Sequence, residues 1–201
     1  MDRNRCILAV EDPLSEAMAH KLLRHCCIVP VTVFMGFGFG HLKKRAREFN
    51  KTAKNFPVFL LTDQDSPAHC PPGIIDKWLR CPRNEGFIFR VAVIEIESWV
   101  MADRKAFASF IGVNQSKIPE NPDILEKPKE FVLNLVRKHG KRNLRDPLLP
   151  TRGSTAHIGP EYNAVMGEFV YQQWDIQRAS GASPSLKRAI FAIQRFKSLR
   201  V

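Results

Sequence analysis

Apolar residues in the first half of the chain fall into short runs with little polar interruption. CILAV (6–10), IVPVTVFM (28–35), VFLLT (58–62) and FIFRVAVI (87–94) are five to eight residues long and read as strands, CILAV, bounded by acid and proline, as one buried on both faces of a parallel sheet. The stretches between them change period. Asp12-Pro13 reads as an N-cap followed by proline at the first helical position, and Leu14, Ala17, Met18 and Leu22 follow at helical spacing. Leu42, Ala46, Phe49 and Ala53 recur at i, i+4, i+7 and i+11, and PGIIDKWL reads as a short helix. Strand and helix alternate, which predicts an α/β fold with a mostly parallel sheet flanked by helices.

After Ile94 only helical patterns remain. IESWVMAD is followed by KAFASFIG behind an Asp103 cap, and KEFVLNLVRKHG ends at Gly140 as a C′ residue. A proline-rich connector, SKIPENPDILEKP, lies between them. The polar, basic segment 140–159 holds Pro147 and Pro150 and reads as a long loop. Two further helices are expected in PEYNAVMGEFVYQQW and in PSLKRAIFAIQRFKSL, the latter opened by Ser183 and Pro184. The pattern therefore predicts an α/β core over residues 1–112 and a mainly helical, basic part over 113–201 packed on it.

Composition narrows the setting. With 201 residues, 44% hydrophobic and 25% charged, the chain suits one soluble domain with a helical extension. It has no run of eighteen apolar residues, and its N-terminus turns acidic before a signal-like stretch develops, so a cytoplasmic protein without a membrane partner is expected. Cys6, Cys26, Cys27, Cys70 and Cys81 are odd in number and lack a CxxC pair. They are read as reduced thiols, mostly in the core.

Charge changes the picture more. Thirty-one Lys and Arg against 20 Asp and Glu give a net +11. Lys43, Lys44, Arg45, Arg47, Lys51 and Lys54 form one cluster, and Arg137, Lys138, Lys141, Arg142, Arg145 and Arg152 a second. Arg178, Lys187, Arg188, Arg195, Lys197 and Arg200 form a third, in a stretch free of acids from Ile176 onward. A single charge run is usually the solvated face of a helix, but three such runs with this excess point to a nucleic-acid partner.

Candidate chemistry gathers at the strand ends. Asp63 and Asp65 in VFLLTDQDS sit where open α/β sheets place ligands, and in an extended segment residues i and i+2 point the same way. Like charges so placed call for a cation, and oxygen ligands suit Mg²⁺. The same residues are also good turn formers. Glu11 follows the first strand as Asp63 follows the third, and Glu95 and Glu97 follow the fourth. Weaker signals are the GFGFG run with His41 and Lys43, read either as backbone contacts to phosphate or as a strand-end turn with Phe37 and Phe39 near the core, and His157 as a proton-transfer aid.

Glu11 in ILAVED and Asp63 and Asp65 in FLLTDQDS resemble the acidic residues of the Toprim superfamily, found in bacterial primases, topoisomerases and nucleases of the overcoming-lysogenization-defect type. VAVIEIESWVMAD, GPEY and SPSLKRAI are similar to stretches of Toprim-like proteins encoded beside ATPases in bacterial defence loci. The resemblance implies a Mg²⁺- or Mn²⁺-dependent nuclease acting in anti-phage defence with a separate ATPase subunit, since no GxxxxGK[ST] occurs in this chain. It implies catalytic roles for Glu11, Asp63 and Asp65 and metal binding by the same three with Glu97. Lys43, Lys44, Arg45, Arg142, Arg145, Arg152, Arg178, Lys187 and Arg188 would hold nucleic acid. Asp12-Pro13 departs from the family, which usually carries a small residue after the glutamate. The competing reading is a non-catalytic module that keeps the Toprim fold and binds nucleic acid or an ATPase. A response-regulator receiver fails on spacing, because Lys127 lies in the connector and not at a strand end.

Overall fold

The computed structural model describes residues 4–36 and 39–198. Four strands, β1 (Arg5–Val10), β2 (Val29–Met35), β3 (Val58–Asp63) and β4 (Phe87–Ala92), form one all-parallel sheet in the order β2-β1-β3-β4. Between them run α1 (Pro13–His25), α2 (Phe39–Thr52) and α3 (Pro71–Leu79). After β4 come α4 (Glu97–Ala102), α5 (Arg104–Ile111), two short 3₁₀ turns, α6 (Pro128–His139), α7 (Arg142–Leu148), α8 (Tyr162–Gln172), α9 (Ile176–Ala182) and α10 (Pro184–Ser198).

Strand parity sorts the side chains into two layers. Ala9, Val58, Leu60, Phe87, Phe89 and Val91 pack with Leu42, Ala46 and Phe49 of α2 and Trp78 of α3. On the opposite face Leu8, Val10, Phe59, Leu61, Ile88 and Ala92 pack with α1, α4, α5 and the later helices, so residues before and after 113 share one core. Asp12 caps α1 as the sequence implied, with Oδ1 accepting the Ser15 amide at 2.7 Å and Pro13 at the first position. Pro30 is tolerated because β2 is an edge strand, and the β1–β2 register slips between Cys6 and Ile7, where Pro30 offers no N–H.

Four expectations need correction. Segment 140–159 is not all loop, since residues 142–148 form α7. Proline inside a helix costs about 3 kcal/mol or more, but burying Leu144 and Leu148 is worth about 1.5–3 kcal/mol each, which offsets it. Gly140 ends α6 in an extended conformation (φ −67°, ψ 154°), and its lack of a Cβ serves close approach to Val136 instead. Helix α9 was not expected, because Ser180 and Gly181 weaken the pattern; Asp175 caps it by accepting the Arg178 amide at 2.9 Å. Only Cys6 and Cys26 are buried, while Cys27, Cys70 and Cys81 are exposed, so the thiols are not mostly core. The placement read for Phe37, within GFGFG, lies outside the described residues, as does the side chain of Phe39. Among the described residues no helix is long and apolar enough to cross a membrane.

The Asp12 cap is testable by substitution. Asp12→Ala should lower unfolding free energy by about 1 kcal/mol and Asp12→Gly by only a few tenths, read from urea denaturation midpoints.

Candidate active site

Three strand ends meet at the carboxyl edge of the sheet. Glu11 leaves β1 on the same side as Ala9, and Thr62 leaves β3 on that side too; the Thr62 hydroxyl donates to Glu11 Oε1, which also accepts the Asp63 amide at 3.3 Å. Asp63, of opposite parity, points into the layer of the later helices and is buried. There it meets Glu97, the first residue of α4, whose charge acts on Asp63 more than any other, with Glu11 and Asp12 behind it.

The connection that brings them together is sharply bent. Ile94 (φ 61°) and Asp65 (φ 59°) are both left-handed, and the Ile94 carbonyl accepts the amides of Gln64 at 3.1 Å and Asp65 at 2.9 Å. A β-branched residue at positive φ is an outlier of about 1–3 kcal/mol, of the kind that clusters at functional sites. This bend also overturns the extended geometry expected for DQD. The strand ends at Asp63, so Asp65 does not share its spot; Asp65 is exposed and couples instead to Glu95 and, from the other side, to Glu11.

Glu97 is fully buried. Its Oε1 accepts from the Tyr162 hydroxyl at 3.1 Å and lies 3.5 Å from Lys129 Nζ. Lys129 is held twice, because Glu95 Oε2 accepts its backbone amide at 2.7 Å at the start of α6. Asp63 Oδ1 and Glu97 Oε2 are buried without a hydrogen-bond partner among the described residues. Such oxygens are costly unless a proton or cation satisfies them.

The electrostatics follow. Burial, then the Asp65 charge, pushes the Glu11 carboxyl up to about 8. Burial pushes Glu97 up to about 7 against the pull of Lys129, and Asp63 lies well above the usual carboxylate range through burial and then Glu97. Asp65, although exposed as a residue, is raised by partial desolvation of its carboxyl and then by Glu95. Lys129 lowers all four, and the surrounding acids, Glu97 foremost, raise its own pKa against its burial.

Sequence reasoning missed Lys129, Thr62 and Tyr162. Lys129 opens the expected helix KEFVLNLVRKHG, but nothing local in the sequence directs it to the strand ends. Tyr162 is seated by the turn before it: a Cβ on Gly159 would run into the Pro147 carbonyl oxygen, so the glycine lets α8 sit where Tyr162 reaches Glu97.

Among the described residues no group of three or more His, Cys, Asp or Glu side chains is arranged to hold a metal ion. Mg²⁺ does not require one, being typically held by one or two carboxylates with water and phosphate. The unpartnered oxygens of Asp63 and Glu97, beside Glu11, fit a hard cation in donor type.

The cations expected to hold nucleic acid sit on α2, α7, α9 and α10 and on the loop after α7. Lys43 and Lys44 of α2 line a cleft of about 480 Å³ with Arg47, Lys77 and Arg80. Arg45 stacks on Phe34 at 4.0 Å and pairs with Glu48 at 3.2 Å. Arg142 and Arg145 are exposed on α7, Arg152 on the loop beyond it, and Lys187 and Arg188 on α10. Arg178 grips buried Asp103 with two bonds of 2.9 and 2.7 Å, so its guanidinium has a structural occupation. His41 and His157 are exposed.

Raised carboxylate pKa values mean that the folded state binds protons the unfolded state has lost. Stability from these groups is therefore fully present below about pH 4 and falls as pH rises through about 7 for Glu97. Glu97→Gln should gain on wild type between pH 5 and 8, by on the order of 2 kcal/mol if the Tyr162 bond is kept. Lys129→Met should lose increasingly over the same range. Thermal unfolding of the three proteins across pH, without divalent metal, measures both.

No protein-family model, curated protein or solved structure matches this chain.

Proposed function

We propose that the protein is a Mg²⁺- or Mn²⁺-dependent phosphodiesterase acting on nucleic acid. The observation that carries the reading is the pair of buried, unpartnered carboxylate oxygens on Asp63 and Glu97 at the carboxyl edge of a parallel sheet, where such folds place ligands. Asp63 and Glu97 would hold the metal, with Glu11 and Asp65 at its margin. When bound, the metal polarises a phosphodiester and lowers the pKa of a water.

The chain's own residues do the rest. Glu11, with its carboxyl near pH 8 and Oε1 fixed by Thr62 and the Asp63 amide, exchanges a proton close to neutral pH, as acid–base catalysis needs. Tyr162 orients Glu97, and Lys129 sets a positive charge among the acids where a phosphate would otherwise be repelled. Exposed Lys43, Lys44, Arg142, Arg145, Arg152, Lys187 and Arg188 attract the backbone. The resemblance extends the proposal to a cytoplasmic role in anti-phage defence with a separate ATPase.

A second reading rests on its own observation. Lys129 Nζ, 3.5 Å from Glu97, is a cation supplied by the chain, and Asp12 is occupied as a helix cap; both suit a module that binds nucleic acid or an ATPase without cutting.

Incubation with linear and circular DNA and with RNA separates the two. Cleavage should require Mg²⁺ or Mn²⁺, stop in EDTA, and fall about 10²–10⁴-fold in Asp63→Asn and in Glu11→Gln. Binding without cleavage in every condition, including with any ATPase encoded beside it, would leave the second reading standing.

A further inference from the structure

Arg90 is the one charged residue in β4, whose other five positions, Phe, Ile, Phe, Val and Ala, are all apolar. Its parity, shared with Ile88 and Ala92, turns it toward α10. The residue is half-buried, and its Nε is buried without a hydrogen-bond partner among the described residues. Among the described residues no carboxylate is paired with it. The charges acting on it are other guanidiniums: burial first, then Arg83 and Arg188, push the Arg90 pKa down to about 10. A buried charge surrounded by like charges is destabilising, and an aliphatic residue would fit this strand at no such cost.

The cleft beside it explains what could offset that charge. Between α3 and α10, along the outer side of β4, lies a cavity of about 330 Å³. Arg90 and Arg188 supply its cations, while Pro71, Pro72, Ile75 and Val93 give it apolar walls, and no acidic residue lines it among the described residues. That volume falls within the range of small-ligand sites, about 300–1,000 Å³. The N-terminus of α10 takes no part in anion binding, because Asp123 already accepts from the Ser183 hydroxyl at 2.7 Å and the Ser185 amide at 2.8 Å. Recognition falls to the guanidiniums, whose planar forks match phosphate oxygens. Two arginines with a third nearby suit a phosphate monoester, which carries close to two negative charges, better than a carboxylate with one.

We propose that this cleft binds a phosphate monoester of mononucleotide size, the phosphate held by Arg90 and Arg188 and the organic body seated against the prolines. Two sources share this chemistry, a free nucleotide and the phosphorylated end of a nucleic-acid strand. The site is separate from the acidic cluster: none of the residues lining the cleft belongs to that cluster, and binding here requires no cleavage.

The test uses the whole chain in EDTA, which silences any metal-dependent reaction. Inorganic phosphate, adenosine 5′-monophosphate and a ten-nucleotide DNA with or without a 5′-phosphate are titrated by calorimetry, and melting temperatures are recorded alongside. The monophosphate should bind and raise the melting temperature. Arg90→Met should abolish that shift yet be at least as stable as wild type in phosphate-free buffer, because it removes an unmatched buried charge. Arg188→Gln, on the exposed face of α10, should weaken binding at least tenfold with the fold intact. Preference for the 5′-phosphorylated strand over the mononucleotide would assign a strand end, and the reverse a free nucleotide; either supports the site. Absence of binding by wild type at millimolar probe, binding unchanged in both variants, or marked loss of stability in Arg90→Met without phosphate would overturn it.

Discussion

The structure depends on satisfying the polar groups of a helix that has no solvent face. All six residues of α4 are buried, yet the helix begins with a carboxylate, carries an indole N–H and is followed by buried Asp103. Each unmet group would cost about 1–3 kcal/mol, and more when charged. The later helices meet most of these needs. Glu97 takes Tyr162 from α8 and Lys129 from α6; Trp99 Nε1 donates to the Ser185 hydroxyl at 2.6 Å; and Trp174 Nε1 donates to the Trp99 carbonyl at 3.0 Å. Asp103 accepts the Ala106 amide that starts α5, the Asp175 amide and the Arg178 guanidinium. The sheet thus holds α4 from one side while five other helices close over it, and what remains unmet is one oxygen of Glu97.

That remainder ties fold to site. Glu97 is placed by the bend at Ile94 and by the helices that bury α4, whereas Asp63 is placed by the sheet alone. The acidic cluster therefore belongs to both halves of the chain, and removing α6 or α8 would strip Glu97 of its partners while leaving Glu11 and Asp63 where they are. The strain at Ile94 and Asp65 is borne by this same junction, whose two amide bonds to the Ile94 carbonyl lock the ends of β3 and β4 together.

Much of this was legible in the sequence, for identifiable reasons. The buried strands β1, β3 and β4 leave nearly unbroken apolar runs, while the exposed edge strand β2 is legible only by its β-branched residues, and Asp12-Pro13 announces α1 through local capping chemistry that no distant contact alters. The site was readable as far as strand ends could show it, which gave Glu11, Asp63 and Glu97. Lys129 and Tyr162 were not readable by pattern, because their positions depend on how α6 and α8 pack over α4, at separations of 32 and 65 residues from Glu97. The extended reading of DQD failed because the left-handed turn at Asp65 is imposed by a carbonyl on another strand. Helix α7 escaped because proline and charge dominate its composition, while two buried leucines decide its fate.

The distribution of charge adds a constraint that neither the acids nor the cations reveal alone. The chain carries a net +11, yet Glu11, Asp12, Asp63, Asp65, Glu95 and Glu97 gather at one edge of the sheet. The remaining surface is therefore more basic than the total suggests. A polyanion would be drawn to that surface from a distance and repelled on reaching the acidic edge. Lys129 softens the repulsion but is already engaged by Glu97, and one ammonium does not balance that many carboxylates. Two routes to neutrality remain at pH 7, protons on the raised carboxyls or a divalent cation between them, and they compete for the same oxygens. On the proposed function, proton uptake would leave a stable but inert cluster and a dication would create the field in which a phosphodiester could approach, so that chemistry would strengthen as pH rises through the range in which Glu97 and Glu11 lose their protons.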